Sequence, residues 1–283
     1  MTPKTSFPVR PSNNVIALLL PGYSPDLGWM ARAIHSRKVI LDDLHPFSRK
    51  SKVHRTKIRT PDGHQWLTIP FVGEDRRKPI RQVRIDSRRP WLKHHIQALE
   101  YNYRNSLYFD FYEPEIRSDL EAASEYEFLL DAVRYLMMRQ WTYLELGDFP
   151  VWISNSNANP DARSYTNPNA HSVPDPDARS YTNPDARIFA QASATAQRKA
   201  ARSVINILQT GSPLTGDTQH GKVTIWQEAD SKNYQKPHPD AVHPVFSIPD
   251  YHQHFPGFVP GCGALDLLFE YGPDAWQIFD RIK

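Results

Sequence analysis

The chain has 283 residues, 40% hydrophobic and 12% aromatic, which is enough apolar material for one large domain or two modest ones and too much for a wholly disordered chain. Its net charge of +3 conceals a division: residues 1–95 hold 19 Lys/Arg against 7 Asp/Glu, whereas residues 96–283 hold 15 against 24. No run approaches the roughly 18 apolar residues of a bilayer span, and a single cysteine, Cys262, excludes an intramolecular disulfide framework and fits a reducing, cytoplasmic compartment.

Residues 1–14 are polar and proline-bearing, a loose lead-in. Val15–Leu20 is apolar without alternation, the pattern of a strand covered on both faces. Pro21-Gly22-Tyr23-Ser24-Pro25 then supplies a tight turn; it lacks the spacing of a phosphate-binding glycine loop, so no cofactor motif is present there and the cofactor is left unknown. Ser24 or Asp26 can cap a helix over Leu27–His35, and Val39–Leu41 is the next strand. Strand, turn, helix and strand in that order open an α/β unit.

The stretch Val39–Pro70 organises the rest. An apolar run ends in Asp42 and Asp43, a basic connector follows, and Pro61-Asp62-Gly63 turns the chain into a second apolar run, Trp66–Val72. A strand, a basic crossover and a strand would place Asp42, Asp43, His45, Lys52, His54 and Arg55 around one end of a buried element. Val83–Ile85 reads as a further short strand, with Asp86 or Ser87 capping a helix from Pro90. His94 and His95 are adjacent and so cannot share one face of that helix.

Tyr101, Tyr103, Tyr108, Phe109, Phe111 and Tyr112 form an aromatic cluster, suited to stacking on a sugar or a base and equally to cementing helices. Ser118 followed by Glu121 resembles a capping box and predicts one long helix from Asp119 to about Leu146. After it, PDARSYTNP occurs at 160–168 and again at 176–184, and PDAR returns at 184–187. Two copies without apolar spacing make no solenoid; they predict a turn-rich insertion. A helix is expected over Ala192–Gln209, a strand over Val223–Trp226, and terminal helices from Ala264 and from Asp274. His252 and His254 would share one face of an extended segment. The expected division is therefore a lead-in at 1–14, a basic α/β core with the long helix at 15–153, the insertion at 154–187, and a part at 188–283 that completes the core. The fold class is α/β, a mixed-sheet core with surrounding helices.

LDD at 41–43, WLTIP at 66–70, WLKHH at 91–95 and DLLFEYG at 266–272, taken together and in order, resemble the WbqC-like family, a group associated with bacterial surface polysaccharide and lipopolysaccharide biosynthesis. The family's opening His-Gln-Pro-Asn-Tyr-x-Pro-Trp appears here as Leu19-Leu20-Pro21-Gly22-Tyr23-Ser24-Pro25-Asp26. Its Asp-Asp-x-Gln appears as Asp42-Asp43-Leu44-His45, and its Asn-Arg-Asn as His54-Arg55-Thr56. A serine usual before Asp-Leu-Leu-Phe is replaced by Gly263, beside Cys262.

The resemblance, with the basic amino-terminal field, implies an enzyme that transfers an acyl, aminoacyl or glycosyl group in polysaccharide, glycoconjugate or secondary-metabolite assembly. Its substrate would be an anionic or nucleotide-linked small molecule, and other proteins of the pathway are expected partners. Asp42, Asp43, His45 and His54 are the candidate catalytic groups, since carboxylates accept protons and imidazoles titrate near neutrality. Tyr23, Lys52, Arg55, Lys57, Trp66 and His94 are the candidate substrate contacts, and no metal is called for. Because leucines cannot exchange protons, Leu19 and Leu20 also fit a degenerate member that binds a nucleotide or sugar, or scaffolds a partner, without turnover. Nucleic acid is the weaker partner: the basic side chains near 49–59 and 76–93 accompany no zinc finger, RNP signature or recognition helix.

Overall fold

The computed structural model describes residues 12–146, 152–154, 224–227 and 245–283. Strand β1 (Ser12–Leu19), helix α1 (Leu27–His35) and strand β2 (Ser36–Leu41) form the expected unit, with β1 and β2 parallel. Asp26 is the cap of α1, its carboxylate accepting the Trp29 N–H at 2.9 Å. Leu27, Met30, Ala31 and Ala33 are buried, and the Trp29 indole donates to the Leu20 carbonyl, tying the helix to the end of β1.

Two further strands, β5 (Trp152–Ser154) and β6 (Thr224–Gln227), extend this parallel sheet in the order β5-β2-β1-β6. Between them in the chain lie most of the turn-rich insertion and the helix expected over 192–209, both outside the described residues. Parallel and antiparallel pairing are both present in the α/β core, divided between this sheet and a separate hairpin.

That hairpin, β3 (Arg55–Thr60) with β4 (Gly63–Thr68), replaces the expected basic crossover. Thr56 and Ile58 face the core, and Arg55, Lys57 and Arg59 alternate with them. The turn closes at Gly63, whose φ of +131° is open to glycine alone at little cost. Val83–Ile85 makes only single bridges, Phe71 with Ile85 and Arg84 with Phe128, so it is not a strand.

Helix α2 (Trp91–Tyr103) starts at Pro90 without a side-chain cap, because Asp86 is engaged elsewhere. The single long helix is also corrected. Residues 109–143 form two helices, α3 (Phe109–Ser124) and α4 (Leu129–Tyr143), broken where Phe128 bridges Arg84. Ser118 and Glu121 lie inside α3, so they cap nothing. Asp119, buried between the two helices, accepts from Tyr135, Arg139 and Tyr143 and locks α3 to α4.

Helix α5 (Ala264–Tyr271) and the short α6 (Trp276–Phe279) end the chain, and α5 touches α3, α4 and β3. Its Asp266, fully buried, accepts from Tyr103, Tyr251 and Gln253 at 2.6, 2.6 and 2.9 Å. Three donors compensate the loss of water around that carboxylate. Gly263 joins the parts: its N–H donates to Lys57 of β3, and it bridges Asp26. A Cβ there would lie 2.2 Å from the Thr56 hydroxyl and 2.5 Å from the Ser24 carbonyl. The serine of the family pattern has no room in this approach.

Candidate functional site

Between β4, the segment at 86–90 and the start of α2 lies a groove of about 860 Å³. Its aromatic wall is Trp66, Phe71 and Trp91, and its charged wall is Arg49, Asp86, Arg88 and Arg89. His54, His94 and His95 also line it.

His54 is packed edge-on against Phe47 and Phe71, at 5.1 and 5.5 Å, and is 2% exposed. Its Nδ1 is buried without a hydrogen-bond partner. Burial first, and the neighbouring Arg55 charge second, push its pKa down to about 4, so the ring is neutral at pH 7. His95, equally buried and held down to about 4 by burial, accepts or donates at Nδ1 with the Tyr23 hydroxyl, 3.1 Å away. Tyr23 thus touches the groove only through His95; its ring is buried at 1% and burial raises its own pKa. His94 stands exposed on the groove's other side.

The basic residues of β3 flank the groove. Arg55 stacks its guanidinium 4.4 Å from the Trp66 ring and donates to the Lys50 carbonyl, while Lys57 donates to the Pro260 carbonyl. Lys52 points away, pairing with Asp26 at 2.5 Å.

Asp42, Asp43 and His45 do not line the groove. They close the carboxyl end of β2. The Asp42 carboxylate accepts the His45 N–H at 3.0 Å and lies 3.8 Å from His45 Nδ1. Burial, with Asp43 nearby, pushes Asp42 up to about 6, while burial lowers the His45 imidazole. Asp43 and His45 spend their carbonyls on Arg81 and Ile80, fixing the loop that carries them. The single cavity expected to gather Asp42, Asp43, His45, His54 and Arg55 is thus divided: only His54 lines the groove, Arg55 flanks it, and the other three belong to the sheet end.

Beside them Leu19 is fully buried and Leu20 nearly so, continuing the core where the family pattern has His and Gln. Cys262 is buried too, its thiol pushed up to about 12 chiefly by burial and next by Asp266, a poor setting for a nucleophile. His252 and His254 lie 3.3 and 3.5 Å from the Glu270 carboxylate. Among the described residues no three such side chains are arranged to hold a metal ion.

Sequence reasoning missed Arg49, Asp86, Arg88 and Arg89 as a group. The signals were the basic side chains near 49–59 and 76–93, taken up by the weak nucleic-acid reading, and an acid followed two and three residues later by arginines, which a helix cap explained equally well.

Comparison with known proteins follows the same ground. The profile of the WbqC-like protein family matches residues 21–209. The uncharacterized protein Rv1507c of Mycobacterium tuberculosis is 30% identical over 95 residues, which cover 33% of this chain and 41% of that protein. No solved structure matches significantly. Among the described residues no helix is long and apolar enough to cross a membrane.

Proposed function

The chain belongs to the WbqC-like protein family, and we propose that it is a group-transfer enzyme of polysaccharide, glycoconjugate or secondary-metabolite assembly, working in the cytoplasm on an anionic or nucleotide-linked substrate held in the hairpin groove. One observation carries the proposal: a buried imidazole, His54, whose Nδ1 has no hydrogen-bond partner, forms part of a groove wall that also holds three arginines. A neutral imidazole accepts a proton, and arginines hold the oxygens of phosphate or carboxylate.

In this reading the acceptor's hydroxyl or amine gives its proton to His54 as its heteroatom bonds to the acyl, aminoacyl or glycosyl group. The leaving group departs with the bonding electron pair, and the arginines hold its negative charge. Trp66 and Trp91 offer apolar faces to a sugar or base ring. Asp42, Asp43 and His45 act at a distance, holding the connector that leads to Lys52 and His54.

The test is a mass-spectrometric transfer assay with nucleotide-sugar, acyl and aminoacyl donors and sugar acceptors. Product from the wild type, with a rate about 10²- to 10⁴-fold lower in folded His54→Ala, is the expected result. Equal rates in the two proteins would overturn the role of His54.

A second reading rests on its own observation, the burial of Leu19 and Leu20 where the family pattern is polar. It makes the chain a binder of nucleotide or sugar that does not turn over. Saturable binding with no product from any donor class decides for it.

A further inference from the structure

Asp86 is 6% exposed and its backbone N–H is held by the Pro70 carbonyl, so its carboxylate is fixed in the groove wall. Arg88 grips it with two prongs, Nε to Oδ1 at 2.8 Å and Nη2 to Oδ2 at 3.2 Å, and Arg89 approaches Oδ2 at 3.4 Å. Both guanidiniums are otherwise largely in solvent, 83% and 72% exposed. Long exposed arginines ordinarily lose rotamer entropy when they bind an anion; a buried carboxylate that already orients them removes part of that cost.

The charges lining the groove do not cancel. Three arginines face one aspartate, the histidines at 54 and 95 are neutral, and Arg49 makes no ion pair among the described residues. Exposed Glu74 is the other acid whose field reaches Arg88. The lining residues carry a surplus of positive charge that a phosphomonoester dianion matches better than a single carboxylate, and the guanidinium N–H groups not turned to Asp86 suit the tetrahedral oxygens of phosphate.

We propose that Arg88 and Arg89, set in place by Asp86 and joined by Arg49, form a phosphate-reading subsite, and that the groove's ligand is a phosphomonoester with a ring seated on the Trp66–Trp91 wall. This rests on the reading of the groove as the substrate site and names the substrate's anionic group. Asp86 is a positioning residue: it touches the arginines, not the ligand.

Binding is measured by calorimetry on the full chain with glucose 1-phosphate, inorganic phosphate and glucuronate, and by flotation with vesicles containing phosphatidic acid. Glucose 1-phosphate should bind at least tenfold more tightly than glucuronate. Vesicle binding that glucose 1-phosphate displaces assigns the phosphate to a lipid carrier, and its absence assigns it to a soluble ester; both retain phosphate chemistry. Arg88→Lys keeps the charge and loses the two-pronged hold on Asp86 that orients it, and should weaken glucose 1-phosphate about tenfold.

Asp86→Asn is the decisive variant, because it makes the groove more positive. Weaker binding, with an unchanged unfolding midpoint, supports positioning; tighter binding would show a merely attractive field and overturn the proposal. Equal affinity for glucuronate, or full binding by a folded Arg88→Gln/Arg89→Gln double variant, would also overturn it. Absent group transfer with phosphate binding intact counts against the proposed enzyme alone. Product formation with the double variant binding normally counts against this subsite alone.

Discussion

The carboxyl end of the parallel sheet and the hairpin groove hold the same kinds of side chain and treat them in opposite ways. At the sheet end Leu19 and Leu20 extend the core, and Asp42 and His45 turn towards each other in a loop closed by backbone hydrogen bonds. In the groove His54 is as deeply buried, yet the cavity it borders is wide, aromatic on one side and cationic on the other. In open α/β sheets the carboxyl ends of the strands usually offer the ligand crevice. Here Leu19 and Leu20 continue the core at that end, whereas among the described residues the groove is a place where polar side chains border open space. Burial alone does not distinguish His45 from His54; what each ring borders does.

Gly263 joins these two regions, and substituting it gives the largest stability effect. An added Cβ meets the Ser24 carbonyl of the β1 loop at 2.5 Å and the Thr56 hydroxyl of the hairpin at 2.2 Å. Gly263→Ala should cost about 3 kcal/mol, read as a lower urea midpoint with an unchanged slope. Removing the hydroxyl as well, in Gly263→Ala/Thr56→Ala, should not restore the midpoint, because the backbone carbonyl stays in place. Full stability of Gly263→Ala would show that the sheet end and the hairpin are free to separate.

The contrast was only half legible in the chain. β1, α1, β2 and α5 were legible because continuous apolar runs, bounded by Pro21 to Pro25 or by glycine, admit few other arrangements. The cap of α1 was visible as a choice between Ser24 and Asp26, and geometry settled on Asp26. Strand β3 was hidden because Arg55, Lys57 and Arg59 alternate along it with Thr56 and Ile58, so a period of two looked like a basic connector. The false capping box at Ser118 shows the reverse: a local pattern met inside α3, which starts at Phe109 and ends at Ser124, before Phe128 bridges Arg84 and α4 begins. The groove had no local signature, since His54, Trp66, Asp86 and Trp91 converge only after the hairpin folds onto the segment before α2.

Asp42 sharpens the comparison through pH. Its folded pKa, about 6, lies above the 3.8 of an unperturbed carboxyl, so folding disfavours the charged form. Above pH 6 the ionised group destabilises the fold in full; as pH falls from 6 towards 4 the folded protein takes up the proton and this penalty disappears. Asp42→Asn should therefore gain roughly 2 kcal/mol over the wild type at pH 8 and no more than about 0.5 kcal/mol at pH 4. Thermal unfolding at the two pH values measures the difference. A variant less stable at pH 8 would mean that the Asp42 charge supports the sheet end instead of burdening it.

The smallest effect concerns the ion pair that crosses between the regions. Lys52, half exposed on the connector, meets Asp26 at the start of α1, and Asp26 also caps that helix through Trp29. Lys52→Ala removes only a partly solvated charge pair and should cost less than about 1 kcal/mol, shrinking further in high salt. Asp26→Ala removes both the pair and the cap, and should cost about 1 kcal/mol more, a difference that salt leaves largely in place. If the two variants were equally destabilised and equally salt-sensitive, α1 would owe its start to the lysine's charge. The sheet end would then depend on the basic connector for its local structure, and the two regions would no longer be separable.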